Sequence, residues 1–254
     1  MKIIVLFLTL MTSAWANQSC YLVVENGYDL IREGDCTIQH SPCSTFKPVL
    51  AVMGFDQGIL IDSETPKLNF DPNKHDGWLE NWRQPQTPKT WLQFSCVWYS
   101  LYVIEGLKRK TVQDYLKQFD YGNQSLIWSK KTPWIMGSLK LSAEEQIKFF
   151  QHLNAGEFNL SSGVIEKVRD IMYVQDLTDG WKLYGKTGYG NQRDDQGLEL
   201  DKGQGWFVGW IAKDDRIIYF AKFIQDDVKT EPFTSLRAKD YVIRTIVDTI
   251  KLSI

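Results

Sequence analysis

The spacing of apolar residues changes along the chain and divides it into three parts. Residues 20–24 and 28–31 are apolar runs on either side of Asn26-Gly27, a dipeptide typical of two-residue β-hairpin loops. Apolar residues then recur at helical intervals, which predicts helices over 44–58, 90–104, 110–119, 142–154 and 161–173, with a long loop at 62–90. The last part is rich in aromatic and β-branched residues, which predicts strands at Trp181–Lys186, Gly205–Ala212 and Ile217–Ile224, followed by a helix at Ser235–Lys251.

This order of elements indicates an α+β fold. Strands occur at both ends of the chain, and a block of helices lies between them. We therefore expect one antiparallel sheet made from both chain ends, flanked by helices, with a helical lobe at roughly 55–178 inserted between the sheet-forming ends.

The first residues have the pattern of an export signal. Lys2 precedes an apolar run at 3–11, and Ala14-Trp15-Ala16 has the small-x-small form of a cleavage site. The apolar run is too short to cross a bilayer comfortably. The sequence therefore predicts a signal peptide at 1–16, cleaved after Ala16, and an exported protein that has no membrane segment after cleavage.

Export makes disulfide bonds possible, and two of the four cysteines lie beside the predicted hairpin. A two-residue loop at Asn26-Gly27 would pair Cys20 with Glu33 and not with Cys36. A Cys20–Cys36 bond therefore requires a bend, which Gly34 can supply.

Composition excludes several classes of function. The formal net charge is −2 and the sequence contains no basic block, so nucleic-acid binding has no electrostatic support. The three histidines are isolated and show no metal-ligand spacing, so we expect no metal site. Ten tryptophans predict large aromatic surfaces in the core or around a cleft.

The segment Ser44-Thr45-Phe46-Lys47 is the first candidate for chemistry. On a helix, this spacing places the hydroxyl and the amine on the same face, within reach of each other. A serine hydroxyl needs a base to become a nucleophile. Lys47 can serve as that base only if its pKa falls or its nitrogen is modified, and the apolar residues that follow it favour burial.

Further motifs follow in order along the chain: Ser95-x-Val97, Tyr121-Gly122-Asn123, Trp134 with Gly137-Ser138-Leu139 after it, and Lys186-Thr187-Gly188. Together with Ser44-x-x-Lys47 they resemble the penicillin-recognising serine enzymes, and most closely the class D serine β-lactamases, or oxacillinases. The resemblance covers essentially all of the chain after the leader. It implies a single catalytic domain at 17–254 with the serine β-lactamase fold.

The resemblance assigns the central roles to Ser44 and Lys47. Ser44 would attack the lactam carbonyl and form an acyl-enzyme. Lys47 would carry a carbamate (N6-carboxylysine) formed with CO₂ or bicarbonate, and would act as general base in acylation and deacylation; no other cofactor is implied. Val97 and Trp134 would stabilise the carbamate, the indole N–H by donating a hydrogen bond.

Proton transfer and charge stabilisation are assigned in the same way. Ser95, assisted by the charge of Lys186, would pass a proton to the departing lactam nitrogen. The backbone N–H groups of Ser44 and Tyr189 would form the oxyanion hole.

The remaining implied residues bind substrate or support the pocket. Thr187 and Gly188 would hold the substrate, and Arg237 would bind its carboxylate, because a forked guanidinium suits that group. Tyr121 and Asn123 would support the pocket.

The sequence also departs from the family pattern. Pro48 follows Lys47 and is acceptable only if the helix begins near Ser44. Met136 lies two residues after Trp134, where an acidic residue is common. Cys43 and Cys96 are adjacent to the two serines, and the sequence leaves open whether they are free or bridged.

The favoured function is hydrolysis of small β-lactam antibiotics, penicillins of the oxacillin type foremost, in the bacterial periplasm. The alternative is a β-lactam-sensing or penicillin-binding domain that is acylated without turnover. A cell-wall transpeptidase and a class A lactamase fit less well, since Glu157-Phe158-Asn159 lacks the class A pattern. The loops around Trp82, Tyr189 and 190–204 would set the ranking of β-lactam subclasses, and both a monomer and a homodimer agree with the sequence.

Overall fold

The protein is an α+β molecule built on one antiparallel sheet, as the sequence predicts. The structure is a computed structural model that describes residues 19–129, 131–194 and 196–252. Its six strands lie in the order β2-β1-β6-β5-β4-β3, so the N-terminal hairpin pairs with the C-terminal strands. The predicted signal peptide at 1–16 lies outside the described residues.

The strands are β1 (Ser19–Glu25), β2 (Tyr28–Gly34), β3 (Tyr173–Asp176), β4 (Lys182–Arg193), β5 (Glu199–Lys213) and β6 (Arg216–Gln225). The helices are α1 (Lys47–Asp56), α2 (Pro88–Phe94), α3 (Val97–Leu107), α4 (Arg109–Gln118), α5 (Ala143–Asn154), α6 (Val164–Met172) and α7 (Thr234–Leu252). None of the helices within the described residues combines the length and the apolar character needed to span a membrane.

The sheet is buried on both faces, which explains its long apolar strands. Alternate residues of β1 point to opposite faces of the sheet. Tyr21 packs in the smaller core, which includes Val242 of α7, and Leu22 packs in the larger core under the helices. Strand β5 is central, and its run 205–211 is buried throughout. Continuous apolar runs are typical of strands that are covered on both faces.

The N-terminal hairpin confirms the predicted disulfide but not the predicted register. A bulge between Val23 and Val24 places Cys20 opposite Gly34 instead of Glu33. Gly34 bends the chain at φ +71°, and a side chain there would collide with a backbone oxygen of β1. The Cys20–Cys36 bond then forms across a Cα–Cα distance of 5.1 Å.

The predicted helix at 90–104 is wrong in one respect, because the structure divides it in two. Helix α2 ends at Phe94, Ser95 adopts a left-handed conformation (φ 57°, ψ 31°), and α3 begins at Val97. The apolar spacing continues across the break, so periodicity alone does not reveal it. The break lies at a proposed catalytic residue, where a strained conformation has a functional use.

The C-terminal strands are longer than predicted. Strand β4 continues beyond Lys186 to Arg193, so the Lys-Thr-Gly motif lies in the middle of the strand and not at its end. The sequence pattern does not predict this extension, because it contains Gly188 and Gly190 and glycine is rare in strands. Edge strand β3 was not predicted, and its residues begin where the helix at 161–173 was expected to end.

Candidate active site

Ser44 lies in a tight turn that leads into α1. Residues Cys43–Phe46 form a single 3₁₀ turn, and Lys47 begins the α-helix. Lys47 Nζ lies 2.9 Å from Ser44 Oγ in a hydrogen bond. Pro48 falls in the first helical turn, where an N–H would have no helical partner, so the departure at this position is accommodated.

The amine of Lys47 is buried, and no carboxylate offsets the effect of burial on its pKa. Its side chain is fully inaccessible (0% exposed) at the start of an apolar helix. Burial lowers the pKa of Lys47 from 10.5 to about 8, because the charged amine loses its hydration. A substantial fraction of neutral amine is therefore present near neutral pH, as a base or a reaction with CO₂ requires.

Trp134 is held beside the Ser44 turn and has an unused donor. Its carbonyl oxygen accepts hydrogen bonds from Cys43 N and Ser41 Oγ, both at 2.9 Å, and its ring packs on Phe46 with centroids 5.7 Å apart. The indole nitrogen is buried and has no hydrogen-bond partner among the residues that the structure describes. A buried donor without a partner costs free energy, so this position suits a group that supplies an acceptor.

Ser95 and Lys186 form the second hydroxyl–amine pair. Lys186 Nζ donates to Ser95 Oγ and also to the Thr187 carbonyl oxygen at 2.9 Å. Lys186 is 3% exposed; burial, then the charge of Lys47, holds its pKa well below its usual range. The charge of Lys47 is thus close enough to disfavour protonation of Lys186.

The Lys-Thr-Gly strand packs directly on the Ser44 turn. A side chain on Gly188 would place its Cβ 2.6 Å from the Pro42 carbonyl oxygen and 3.0 Å from the Thr45 side chain. Glycine is therefore needed at 188 for close approach of β4 to the nucleophile. The same contact brings the Tyr189 backbone to the site.

A large cavity opens over these residues. Its volume is 1670 Å³, and its lining includes Ser44, Ser95, Val97, Thr187 and Tyr189. The cavity thus joins residues from the nucleophile turn, the α2–α3 break and β4. This arrangement of a nucleophile, two amines and a second hydroxyl around a cleft is suited to acyl transfer.

Comparison with known proteins agrees with this geometry. Residues 13–248 match the family model of the penicillin-binding protein transpeptidase domain. The β-lactamase OXA-1 of Escherichia coli is 34% identical over 246 residues, which cover 92% of this chain and 86% of OXA-1. The chain is a class D serine β-lactamase family member.

Other relatives of this class D protein include a solved β-lactamase structure and a methicillin resistance protein. The crystal structure of the class D β-lactamase OXA-427 is 34% identical, with a TM-score of 0.86 over 93% of this chain and 100% of that one. The methicillin resistance protein MecR1 of Staphylococcus aureus is 30% identical over 80% of this chain, but the match covers only 33% of MecR1.

In this class D family member, Tyr121 and Asn123 lie beside the Ser44 turn and the segment that follows Trp134. Tyr121 is buried and packs on Phe46 at 5.9 Å, and burial raises the pKa of its phenol. Asn123 binds the Ser138 carbonyl and accepts from Lys140 N, which joins two segments of the loop around Trp134.

The structure does not bring Arg237 into the cavity lining. Its guanidinium forms an ion pair with Asp226, with Nη2 2.6 Å from Oδ1 and 2.5 Å from Oδ2, and Nε donates to the Pro232 carbonyl. The Asp226 side chain is 9% exposed. The neighbouring Ser235 and Leu236 do line the cavity.

Cys43 and Cys96 are free, buried thiols, which answers a question that the sequence left open. Cys43 Sγ lies 3.8 Å from Met136 Sδ. A Cβ on Gly190 would lie 2.9 Å from Cys43 Sγ and 2.9 Å from Met136 Sδ, so these two sulfur atoms fill the space under β4. Burial raises the pKa of both thiols, which keeps them protonated.

Sequence reasoning missed the side chains that hold the Ser44 turn from behind. Ser41 is fully buried, and its carbonyl accepts from Gln204 and Trp206 of β5 at 3.0 Å each. Gln146 of α5 donates to Thr45 Oγ1 at 2.8 Å. No motif signals these contacts, since each joins residues more than 100 positions apart.

His40 packs against an aromatic ring and is largely buried. His40 stacks on Phe223 at 3.9 Å, and burial lowers its pKa to about 4. Across the residues that the structure describes, no three His, Cys, Asp or Glu side chains are grouped as metal ligands.

Proposed function

We propose that the protein hydrolyses β-lactam antibiotics, penicillins of the oxacillin type foremost, through an acyl-enzyme on Ser44. The observation that carries this proposal is the 2.9 Å contact between Ser44 Oγ and the fully buried Lys47 amine. The similarity to OXA-1 and OXA-427 supports the same reaction class.

Carbamylation of Lys47 is the proposed modification, and its surroundings fit it. The amine is buried and its pKa is lowered to about 8, so it has a neutral form that can react with CO₂. Trp134 Nε1 is a buried donor without an acceptor. When present, the carbamate supplies an anionic oxygen as general base, and Trp134 would donate to it while Val97 walls the pocket.

The other residues each have a separate role in acylation. Ser44 Oγ would give its proton to the Lys47 side chain beside it and form the ester bond to the lactam carbonyl carbon as the lactam C–N bond breaks. The backbone N–H groups of Ser44 and Tyr189 would hold the carbonyl oxygen, and losing one such donor costs about 3 kcal/mol of barrier. Ser95 passes its proton to the lactam nitrogen and recovers one from Lys186, to which it is hydrogen-bonded.

Deacylation returns the enzyme to its starting state. The proton that Ser44 gave up in acylation would first pass from Lys47 to Lys186 and replace the one that Lys186 lost. Water would then give a proton to the Lys47 side chain and attack the ester carbonyl, the bond to Ser44 Oγ would break, and Ser44 would recover that proton from Lys47. Thr187 and Gly188 would hold the substrate in both steps. Arg237 Nη2 is bound to Asp226, so the substrate carboxylate would compete with Asp226 for this guanidinium.

The direct test is turnover of a chromogenic cephalosporin with and without added bicarbonate. We expect hydrolysis that falls when CO₂ is depleted and returns with bicarbonate. In Lys47→Ala, we expect binding to persist while deacylation is blocked. Rapid turnover by that variant would contradict the proposed base.

The second candidate function is β-lactam sensing, because the C-terminal domain of the BlaR penicillin-receptor of Bacillus licheniformis shares this fold, with a TM-score of 0.75. A sensor would form a stable adduct on Ser44 and release no product. Intact-protein mass spectra recorded after mixing with a penicillin distinguish the two, because a hydrolase returns to its free mass when substrate is consumed.

We also propose that the mature protein acts in the bacterial periplasm. The leader pattern supports export, and the Cys20–Cys36 bond is typical of an oxidising compartment. Fractionation of an expressing bacterium, followed by sequencing of the mature N-terminus, tests both the location and cleavage after Ala16.

A further inference from the structure

The cavity over Ser44 continues along one face of α3. Val97, Leu101 and Glu105 line it at helical spacing, and Lys108 lines it just beyond the end of the helix. A helix rises 1.5 Å per residue, so Val97 and Lys108 are separated by about 16 Å along the helix axis. The cleft therefore extends well beyond the position of a lactam ring at Ser44.

The chemistry of the walls changes along this length. Near the serines the walls are apolar and include Trp98, Leu101 and Ile135. The far end, at the end of α3, is charged: Lys108 and Arg109 supply cations and Glu105 supplies a carboxylate. Lys131 also lines the cleft, three residues after the Trp128 ring that Arg109 contacts.

The cations at the far end are not neutralised by the protein. Arg109 lies over the Trp128 ring at 5.1 Å, a cation–π contact that orients the guanidinium without removing its charge. Within the described part of the chain, no ion pair joins Lys108, Arg109 or Lys131 to a carboxylate. By contrast, the next residue, Lys110, pairs with Asp114 at 2.6 Å.

We propose that the far end of this cleft binds the terminal α-amino carboxylate of an extended β-lactam acyl side chain. The substrate carboxylate would contact Arg109 and Lys131, with Lys108 nearby, and the substrate ammonium would contact Glu105. Flexible methylenes would pass between the apolar walls. This proposal rests on the proposed function and adds a substrate class to it.

Cephalosporin C and cephalothin test the proposal, since they share one nucleus and one acetoxymethyl group and differ only in the acyl side chain. Cephalosporin C ends in an α-amino carboxylate, and cephalothin ends in a neutral thiophene. The variants are the double substitution Arg109→Gln with Lys131→Gln, and the control Lys110→Gln. The measured quantity is the second-order rate of Ser44 acylation, followed by intact-protein mass spectrometry.

We expect the double variant to be acylated by cephalosporin C about threefold to tenfold more slowly, the size expected for two solvent-exposed charge contacts. Cephalothin should change by less than about twofold, and Lys110→Gln should change neither rate. Added salt should slow cephalosporin C selectively, because exposed charges are screened.

An equal loss for both cephalosporins, or no loss for either, would overturn the subsite. Acylation of the unsubstituted protein without release of product would overturn hydrolysis and leave the comparison of acylation rates valid. Absence of acylation by both compounds in the unsubstituted protein would overturn the proposed function and the subsite together.

Discussion

Lys186 donates a hydrogen bond to Ser95 although 91 residues separate them in the chain. Ser95 directly follows α2 in the helical lobe, and Lys186 lies in β4 of the sheet. The pair that would move a proton therefore exists only when the lobe and the sheet are packed together. Anything that loosens this packing should reduce acylation before it unfolds the protein.

Ser95→Ala tests the proton transfer. Removing the hydroxyl should slow acylation of Ser44 by a penicillin by about 100-fold or more, the usual size of a lost general acid. The control is Ser100→Ala on α3, where the buried hydroxyl accepts from Trp91 Nε1 at 2.9 Å. That change should lower the unfolding free energy by about 1–2 kcal/mol and leave acylation within a few-fold. Equal rates in the two variants would exclude Ser95 as the acid.

Trp134→Phe tests the indole as carbamate donor. Because Nε1 has no partner among the described residues, Trp134→Phe loses only buried ring volume and no hydrogen bond, so in CO₂-free buffer it should destabilise the fold less than the Trp91→Phe control. The bicarbonate concentration needed for half-maximal activity should rise about tenfold, the cost of one charge-assisted hydrogen bond. The ¹³C-carbamate signal of Lys47, measured by NMR with labelled bicarbonate, should fall in parallel.

Trp91→Phe is the matched control for that experiment. The indole N–H of Trp91 already donates to Ser100 Oγ, and Trp91 is fully buried, as Trp134 is. We expect a loss of stability with an unchanged bicarbonate requirement. A shift of that requirement in both variants would point to general loosening of the pocket.

Lys47→Met tests the cost of burying the amine. The folded pKa of about 8 lies below the unfolded value of about 10.4, so between these pH values the unfolded chain binds more protons. Stability of the parent protein should therefore rise with pH across this window. In CO₂-free buffer at pH 7, the variant should be more stable by about 3 kcal/mol, and this gain should shrink towards pH 10. A gain that does not depend on pH, measured by urea unfolding, would show that the amine is not responsible.

Asp226→Asn tests whether Arg237 can serve the substrate. The substitution removes the competing charge at 2.5–2.6 Å and leaves an amide that can still contact the guanidinium. If Arg237 binds the substrate carboxylate, KM for a penicillin should fall several-fold while kcat changes little, as expected for uniform binding. An unchanged KM would show that the Arg237–Asp226 pair only stabilises the connection between β6 and α7.

Local patterns predicted the elements well where local physics decides them. The helix predicted from residue 142 begins there, where Ser142 and Glu145 form a reciprocal cap at the start of α5. Asn26-Gly27 forms the predicted hairpin turn, but the bulge beside Val24 changed its register. A bulge is set by packing on both faces of the sheet, which a turn dipeptide does not encode.

The sequence by itself determined the α+β class, the order of the sheet-forming ends, the Cys20–Cys36 bond and the motifs around Ser44 and Lys186. These depend on short-range spacing and on residue type. Only the tertiary structure decided that Ser95 lies in a left-handed break, that the Trp134 indole has no partner, and that Arg237 is bound by Asp226. Each of these depends on how segments distant in sequence pack together, because burial and partnership are properties of the assembled site and not of any one segment.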